Sequence, residues 1–232
     1  MTPLEVRRLG RTSYADALAL QAELVEERRA ARIPDTLLLL EHPHAITVGV
    51  RRGGGRSNII ASHEQLSALG VEVHEAGRGG DVTYHGPGQI VGYPILDLRP
   101  DRQDVHRYVR DLEEVLIGVC ASLGADATRL PGLTGAWITH PRRGPEKVAA
   151  IGVRISRWIT SHGFALNVNV DLDFFDLIVP CGIKDHGVTS LEQFIGRPQA
   201  VSDVEFELIR QFATVFGRIP TSAPTQATVV QR

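Results

Sequence analysis

Residues 135–170 read GAWITHPRRGPEKVAAIGVRISRWITSHGFALNVNV. Apolar runs rich in β-branched residues alternate here with short polar turns that contain proline or glycine, which is the pattern of successive strands. Between Phe164 and Val170, apolar residues alternate with Asn167 and Asn169, the two-residue period of a strand with one buried face. We therefore predict an antiparallel meander over this stretch.

Helix signals precede the meander. Asp104 is the expected N-cap of a helix that runs to Gly124, and Cys120 lies on its apolar stripe, where a free thiol acts as a small hydrophobe. Capping boxes are expected from Ser62 and Gln65 for a short helix and from Ser202 and Glu205 for the last helix. Thr12 or Ser13 is expected to cap a first helix. The expected apolar face of that first helix consists of Tyr14, Leu18, Ala22 and Val25.

Strands mixed with helices indicate an α+β (mixed α/β) domain, with a mixed, largely antiparallel sheet packed against helices on one side. The 232 residues, 43% of them hydrophobic, suffice for one buried core. No internal repeat or sharp composition change divides the chain. We expect a single domain over residues 1–218 and a disordered tail over 219–232.

Charge and composition narrow the classes of partner and location. The formal net charge is −2, so nothing drives binding to nucleic acid or to an anionic membrane. No apolar run approaches the roughly 20 residues that span a bilayer. Two cysteines cannot build a disulfide framework. We expect a cytoplasmic protein with no membrane partner.

Among the basic residues, arginine greatly outnumbers lysine. Of 25 Lys and Arg residues, 23 are arginines and two are lysines, Lys147 and Lys184. Arginine stays protonated near neutral pH, whereas a crowded lysine can release its proton. We therefore consider Lys147 a candidate for a chemical role, whereas chance is enough to explain the presence of Lys184.

Three glycine-containing segments stand out. They are Gly77–Gln89, Lys147–Gly152 and Pro180–Ile183. The first lacks the third glycine of a dinucleotide fingerprint and has no Gly-Lys-Ser/Thr, so it is a poor phosphate loop. An ordinary turn is the alternative, but its many polar side chains favour a binding role.

Cys181 lies between Pro180 and Gly182, outside any helical or strand stripe. A cytosolic cysteine becomes a nucleophile when a cationic or basic neighbour stabilises its thiolate. Lys147 and His85 are the candidate neighbours. The alternative is a partly buried structural thiol.

Metal binding is the other chemistry to weigh. His42 and His44 form a His-x-His pair around Pro43, but no Cys-x-x-Cys or His-Glu-x-x-His completes a site. We expect no metal, and interpret the pair as part of a turn between strands.

Taken together, the three segments resemble the lipoyl(octanoyl) transferases, relatives of the lipoate and biotin protein ligases. The resemblance extends from Leu37 to Leu191. Its motifs are LLLLEHP at 37–43, RGG at 78–80, TYHGPGQ at 83–89, KVAAIGVR at 147–154, HGFALN at 162–167, PCGI at 180–183 and GVTSL at 187–191.

The resemblance implies a biotin/lipoate-ligase-like catalytic domain that needs no cofactor and no ATP. Such an enzyme moves octanoate from acyl carrier protein to a lysine of lipoyl domains, in 2-oxoacid dehydrogenases or the glycine-cleavage H protein. Cys181 would carry the acyl thioester, and Lys147 would lower the pKa of that thiol and handle protons. The implied substrate-binding residues are Arg78, Gly79, Gly80, Asp81, Val82, Thr83, Tyr84, His85, Ala150, Ile151, Gly152, Gly163, Phe164 and Ala165.

Two rival functions stay open at this point. An ATP-dependent lipoate ligase shares the fold and the lysine but needs no nucleophile, whereas a binder of lipoyl domains or acyl chains needs no catalysis. Arginines on predicted loops are candidates for docking acidic partners, the alternative being that arginine is simply this chain's surface cation. These arginines are Arg51, Arg52, Arg56, Arg142 and Arg143.

Overall fold

The computed structural model describes residues 2–50, 55–179 and 186–222. The strands are β1 (Thr2–Arg11), β2 (Asp35–Glu41), β3 (Ala45–Val48), β4 (Glu72–Glu75), β5 (Val82–His85), β6 (Gln89–Ile95), β7 (Ala127–Leu130), β8 (Leu133–His140), β9 (Gly144–Ser156), β10 (Ile159–Asn167), β11 (Gly187–Val188) and β12 (Arg218–Ser222). The α-helices are α1 (Tyr14–Arg29), α2 (His63–Ala68), α3 (Val105–Ser122), α4 (Leu191–Ile195) and α5 (Val201–Phe216). Short 3-10 helices cover Gly55–Asn58 and Leu172–Leu177.

The predicted meander is present as β8, β9 and β10, which pair antiparallel in sequence order. Among the described residues, a large sheet has the strand order β12-β1-β2-β6-β10-β9-β8-β7, with β11 added beside β9. The pairs β12–β1, β1–β2 and β11–β9 are parallel, and the others are antiparallel. The sheet is therefore mixed and largely antiparallel, as predicted.

A smaller sheet has the order β4-β3-β5. It is joined to the large sheet at two turns. His42 and His44 lie in the turn from β2 to β3, and Gly86 to Gly88 form the turn from β5 to β6. The chain thus passes twice between the two sheets.

Helices cover both faces of the large sheet, so the expectation of a sheet covered on one side was wrong. Along β2, Leu37 and Leu39 pack in the cluster that contains α3 and α5. The alternate residues Leu38 and Leu40 pack in the cluster that contains α1. The unbroken run of four leucines is the signature of a strand with two buried faces rather than one.

The predicted caps are present at α2 and α3, whereas α5 begins after Ala200 without a side-chain cap, so the predicted Ser202–Glu205 box was wrong. Asp104 accepts a hydrogen bond from the Arg107 N–H at the start of α3, and Ser62 and Gln65 form a reciprocal capping box at α2. Cys120 is fully buried in the core. Burial raises the pKa of its thiol to about 12, which keeps it protonated and inert.

The first helix begins after Ser13, as expected, but it buries a different face. The buried residues of α1 are Tyr14, Ala17, Gln21 and Leu24. Ala22 is exposed and Leu18 is only partly buried. The buried face of α1 is thus shifted by one residue from the predicted face. The helix packs against β6 and β10, and the Gln21 Oε1 atom accepts a hydrogen bond from the His162 N–H of β10.

The last described strand extends past the expected domain boundary at residue 218. β12 runs parallel to β1, with Thr2 opposite Arg218 and Val6 opposite Ser222. Residues 219–222, which we expected to begin the tail, are therefore part of the sheet. Residues 223–232 lie outside the described ranges. No helix in the described ranges has an apolar stretch long enough to span a bilayer.

Candidate active site

The polar segment Gly77–Gln89 consists of an irregular stretch over 77–81, strand β5 over Val82–His85, and the turn into β6. Along β5, Val82 and Tyr84 pack into the apolar cluster under the small sheet. Because side chains alternate along a strand, Thr83 and His85 face the opposite way, toward the large sheet. Side-chain alternation thus gives β5 one face that packs in the apolar cluster and one face that points toward the site.

Two pockets lie where Thr83 and His85 face the large sheet. We call the first the Trp137 pocket, lined by Trp137, Phe175, His186 and Val188 among others. We call the second the His162 pocket, lined by Tyr14, Tyr93, His162 and Phe164 among others. Thr83, Lys147 and Ala150 line both, so the two pockets meet at Lys147.

Lys147 lies on β9, opposite Trp137 of β8. Its Nζ atom is 4.7 Å from the centroid of the Trp137 ring, a cation–π distance. A Cβ atom at Gly135 would come 3.5 Å from the Lys147 Cε atom and 2.5 Å from the Ala149 carbonyl oxygen. Glycine at position 135 therefore leaves the lysine side chain its place beside the indole.

Arg78 is buried beneath the junction of the small and large sheets. Its Nη2 atom donates to both the carbonyl oxygen and the hydroxyl of Thr47, each at 2.7 Å. A Cβ atom at Gly152 would come 2.9 Å from the Arg78 Cδ atom and 2.9 Å from the Gly79 carbonyl oxygen. The glycines of both motifs allow this close approach, and the guanidinium places a fixed positive charge beside the His162 pocket.

The histidines that line or flank the His162 pocket are neutral. Burial lowers the pKa of His85 to about 3 and that of His162 to about 4, and the Arg78 charge acts in the same direction on both. Burial also lowers the pKa of His42, whose Nε2 atom lies 2.8 Å from the Tyr93 hydroxyl. Uncharged imidazoles and tyrosines therefore form part of the pocket lining, and its cationic residues are Arg78 and Lys147.

A chain of side-chain amides connects β5 to the strand that follows Cys181. His85 Nδ1 lies 2.7 Å from the Gln89 Oε1 atom, and Gln89 donates to Asn167 at 2.9 Å. Asn167 in turn donates to the Thr189 carbonyl oxygen at 2.9 Å, and the Thr189 N–H donates to the Lys147 carbonyl oxygen at 3.0 Å. This network fixes β11 against Lys147.

Cys181 itself lies outside the described residues, as does Lys184. The chain on either side of it is anchored. Before it, the Val179 N–H donates to the Asn58 carbonyl oxygen at 2.7 Å. After it, Gly187 and Val188 pair with residues 146 and 147 of β9. Of these flanking residues, Gly187 and Val188 line the Trp137 pocket.

Ten of the predicted substrate-binding residues line one or both pockets. These are Arg78, Gly80, Thr83, His85, Ala150, Ile151, Gly152, Gly163, Phe164 and Ala165. The other four lie elsewhere. Val82 and Tyr84 are in the apolar cluster, and Gly79 bonds its N–H to the Val153 carbonyl oxygen. Asp81 organises the neighbouring loop by accepting hydrogen bonds from Gly55, Asn58 and Val82.

Sequence reasoning did not single out Trp137, Tyr14, Tyr93 or His162 as lining residues. These side chains come from β8, α1, β6 and β10, which meet only in the fold. The motif that contains His162 was a usable signal, but nothing local marks Trp137. His42 and His44 occupy the predicted turn, and within the described ranges no three potential metal ligands group together.

Comparison with known proteins agrees with this geometry. The family described as lipoyl protein ligase A/B catalytic domain matches residues 13–213. An octanoyltransferase of Rubrobacter xylanophilus is 53% identical, over 92% of this chain and 94% of that protein. An octanoyltransferase of Myxococcus xanthus is 51% identical over 97% of this chain, which spans 62% of that longer protein.

Solved structures extend the likeness of fold to more distant proteins. A bi-partite lipoate protein ligase from Thermoplasma acidophilum has a TM-score of 0.66 at 16% identity, covering 97% of this chain and 88% of that chain. A biotin protein ligase from Aquifex aeolicus has a TM-score of 0.56 at 14% identity, covering 92% and 70%. The chain belongs to the lipoyl protein ligase A/B catalytic domain family and, within it, to the octanoyltransferases, which are acyltransferases.

Proposed function

We propose that this enzyme takes an octanoyl group from acyl carrier protein, holds it as a thioester on Cys181, and passes it to a lysine of a lipoyl domain. The observation that carries the proposal is the meeting of two pockets at Lys147, beside the anchors of the Cys181 segment. One pocket can hold the acyl chain while the other admits the donor or acceptor. A lysine at the junction is placed to serve both half-reactions.

In the first half-reaction, the Cys181 thiolate attacks the carbonyl carbon of the donor thioester. The tetrahedral intermediate collapses, the bond to the carrier sulfur breaks, and the Lys147 ammonium protonates the leaving thiolate. One thioester replaces another, so this exchange is close to balanced. The protein needs to supply position and a proton rather than energy.

In the second half-reaction, the neutral amine of the acceptor lysine attacks the Cys181 thioester. Lys147, now a free base, accepts the proton that the amine loses, and the Cys181 thiolate leaves. The amide is more stable than the thioester, which draws the reaction forward. Both protonation states of Lys147 are regenerated in each cycle, and no ATP is consumed.

The His162 pocket is the proposed acyl site. Val91, Ile151, Phe164 and Ala165 supply apolar surface, and Gly152 and Gly163 leave room between the strands. An octanoyl chain has six more methylene groups than acetyl, and burying them at about 0.8 kcal/mol each would contribute about 5 kcal/mol. That is enough to favour octanoyl over acetyl donors.

Cys181 distinguishes the proposal from an ATP-dependent ligase. We expect Cys181→Ser to abolish transfer from octanoyl carrier protein, because a serine hydroxyl is a far weaker nucleophile at neutral pH. Intact-mass measurement after mixing with the donor should show an octanoyl adduct that hydroxylamine removes. An ATP requirement in the wild type would support the ligase, and the absence of any adduct would support a non-catalytic binder.

Lys147→Arg is the matched test of proton transfer. A guanidinium preserves the positive charge but does not release a proton near neutral pH. We expect the adduct to form slowly and the transfer to the acceptor lysine to be impaired further. Full activity of Lys147→Arg would remove Lys147 from the proposed mechanism.

Exposed arginines are the proposed docking sites for the acidic carrier and acceptor proteins. Arg142 is exposed in the turn between β8 and β9, while Arg143 pairs with Glu146 at 2.6 Å and Arg56 pairs with Glu75 at 2.6 Å. Arg51 and Arg52 lie outside the described residues. Arg142→Ala should raise KM at low salt and weaken its salt dependence, whereas Arg32→Ala on the far end of α1 should not. Equal effects of the two substitutions on KM would indicate that Arg142 is a general surface cation without a docking role.

The proposed acceptors are the lipoyl domains of 2-oxoacid dehydrogenases and the glycine-cleavage H protein. A free catalytic thiol suits a reducing compartment, so we propose the cytoplasm as the location. Fractionation of cells with an antibody against the chain would test it.

A further inference from the structure

His162 separates two cavities. On one side it lines the His162 pocket, and on the other it lines a groove between α1 and the β9–β10 hairpin. We call the second cavity the α1 groove; its lining includes Leu18, Gln21, Ala22 and Val25. His162 lines both cavities, and its side chain is 3% exposed. A buried side chain that lines two cavities can act as the wall between them.

The backbone of His162 is held in a conformation that suits glycine. Its φ angle is 54°, in the left-handed region, although it lies within β10 between Ser161 and Gly163. Its N–H donates to the Gln21 Oε1 atom of α1 at 2.8 Å. The imidazole meets Tyr93 edge-on, with ring centroids 6.3 Å apart. Two elements therefore hold a bulky ring at a backbone position that glycine would adopt without strain.

The position of the wall matches the length of the proposed substrate. Ala150 lines both the Trp137 and His162 pockets, and His162 pairs with Val153, three residues further along β9. Three residues of strand span roughly 10 Å. An extended eight-carbon chain is roughly 9 Å long at about 1.25 Å per carbon–carbon bond. A chain that enters at the Ala150 level therefore ends at His162.

The chemistry of the wall suits an apolar chain end. Burial, together with the nearby charges of Arg78 and Arg154, holds the pKa of His162 at about 4, so the ring is neutral at physiological pH. Beyond the wall, Leu18, Val25 and Ile159 offer further apolar surface in the α1 groove. Space that could accept a longer chain exists, but the imidazole closes the way to it.

We propose that His162 sets the chain-length limit of the enzyme by closing the acyl pocket against the α1 groove. This inference rests on the proposed function, because it takes the His162 pocket as the acyl site. His162 is a specificity residue in this role and needs no part in proton transfer. Removal of its ring should join the two cavities into one longer slot.

The test compares His162→Gly with the wild type, since glycine keeps the backbone conformation and removes the ring. Isothermal titration with free fatty acids of eight, ten, twelve and fourteen carbons reports binding without any transfer step. Wild-type affinity should stop rising beyond eight to ten carbons. In His162→Gly, each methylene that enters the groove should tighten binding about fourfold. His162→Ala serves as a second variant if His162→Gly does not fold.

Ala22→Trp is the matched control, because Ala22 is exposed and lines only the groove. Alone, it should leave fatty-acid binding unchanged, since the wild-type chain does not reach the groove. Combined with His162→Gly, it should restore the wild-type length limit by filling the groove. Altered binding in Ala22→Trp alone would mean that the chain already passes His162, and would overturn the proposal.

Transfer assays with carrier-bound acyl chains of the same lengths separate this inference from the proposed function. Normal octanoyl transfer with an unchanged length preference in His162→Gly would reject the wall and leave the function standing. The predicted change in fatty-acid binding, with no transfer of any acyl chain, would support the role of His162 and reject the proposed function. If neither the wild type nor His162→Gly bound any of the fatty acids, the proposed role of His162 would be rejected.

Discussion

The Lys147 Nζ atom lies 4.7 Å from the centroid of the Trp137 ring. The two residues sit opposite each other on β9 and β8, at the junction of the two pockets. A cation over an aromatic face gains about 0.5–2 kcal/mol, the larger values applying where water is excluded. Trp137 therefore holds the one described lysine of the chain at the junction of the two pockets.

We predict that Trp137→Leu slows formation of the octanoyl adduct by about tenfold, corresponding to about 1.4 kcal/mol of lost orientation. Trp137→Phe should fall between Leu and the wild type, since it keeps a weaker aromatic face. Rapid quench with intact-mass detection measures the rate. Trp158→Phe, at the β9–β10 turn, is the control, and an equal loss there would assign the effect to general destabilisation.

Adjacent residues of β5 should separate binding from stability. Thr83 lines both pockets, whereas Tyr84 bonds through its hydroxyl to His44 at 2.7 Å, away from them. We expect Thr83→Val to lower kcat/KM for octanoyl transfer with little change in stability. Tyr84→Phe should cost about 1 kcal/mol of unfolding free energy and leave transfer intact. Urea denaturation and transfer kinetics on both variants check the pair; a transfer defect in Tyr84→Phe would return that residue to the site.

A buried arginine on β12 should carry much of the stability at one end of the sheet. Arg218 donates to Asp35 at 2.8 Å, and both are almost fully buried. We predict that Arg218→Ala costs about 2 kcal/mol of unfolding free energy, because it leaves the buried Asp35 carboxylate with Arg28 as its remaining ion-pair partner. Arg210→Ala removes an exposed pair with Glu207 and should cost less than about 0.5 kcal/mol. Similar losses in chemical denaturation would refute the distinction.

Acid sensitivity should follow from the neutral histidines. His162 and His85 have folded-state pKa values of about 4 and about 3. An unfolded histidine titrates near 6.5. Below about pH 6.5 the unfolded state binds more protons than the folded state, so stability falls as pH falls toward 4, by up to about 1.4 kcal/mol per pH unit for each histidine.

His162→Gln should flatten this slope by about one proton's contribution between about pH 5 and 6.5. Denaturation midpoints across that interval measure it. His63→Gln, at the exposed start of α2, is the matched substitution outside the pocket. An identical slope in His162→Gln and the wild type would contradict the assignment.

Features that depend on near neighbours in sequence were predictable. The meander, the Asp104 cap and the Ser62–Gln65 box each arise from residues within one hairpin or one helical turn. β1 was not predicted, because its charged residues give no strand pattern of their own. It becomes a strand by pairing with β2 and β12, the second of which is more than two hundred residues away.

The site was predictable only in part, for the same reason. The motif that contains Thr83 and His85 identified the correct segment. Its glycines obscured the strand, so the side-chain alternation that points Tyr84 away from the pockets was not predicted. Tyr14 and His162 line one pocket and Trp137 lines the other, and the three come from separate elements. No spacing rule relates them, so their placement follows from the strand order and from the packing of α1 on the sheet.

The parallel pairing of β12 with β1 also decides which strand the sheet presents to other molecules. Without residues 218–222, the ten-residue β1 would expose a long row of unpaired N–H and carbonyl groups, a template for edge-to-edge aggregation. β12 replaces it with a five-residue edge that contains Pro220, which has no N–H to donate. The chain thus ends its sheet with a short, proline-blunted border that resists recruitment of a second copy.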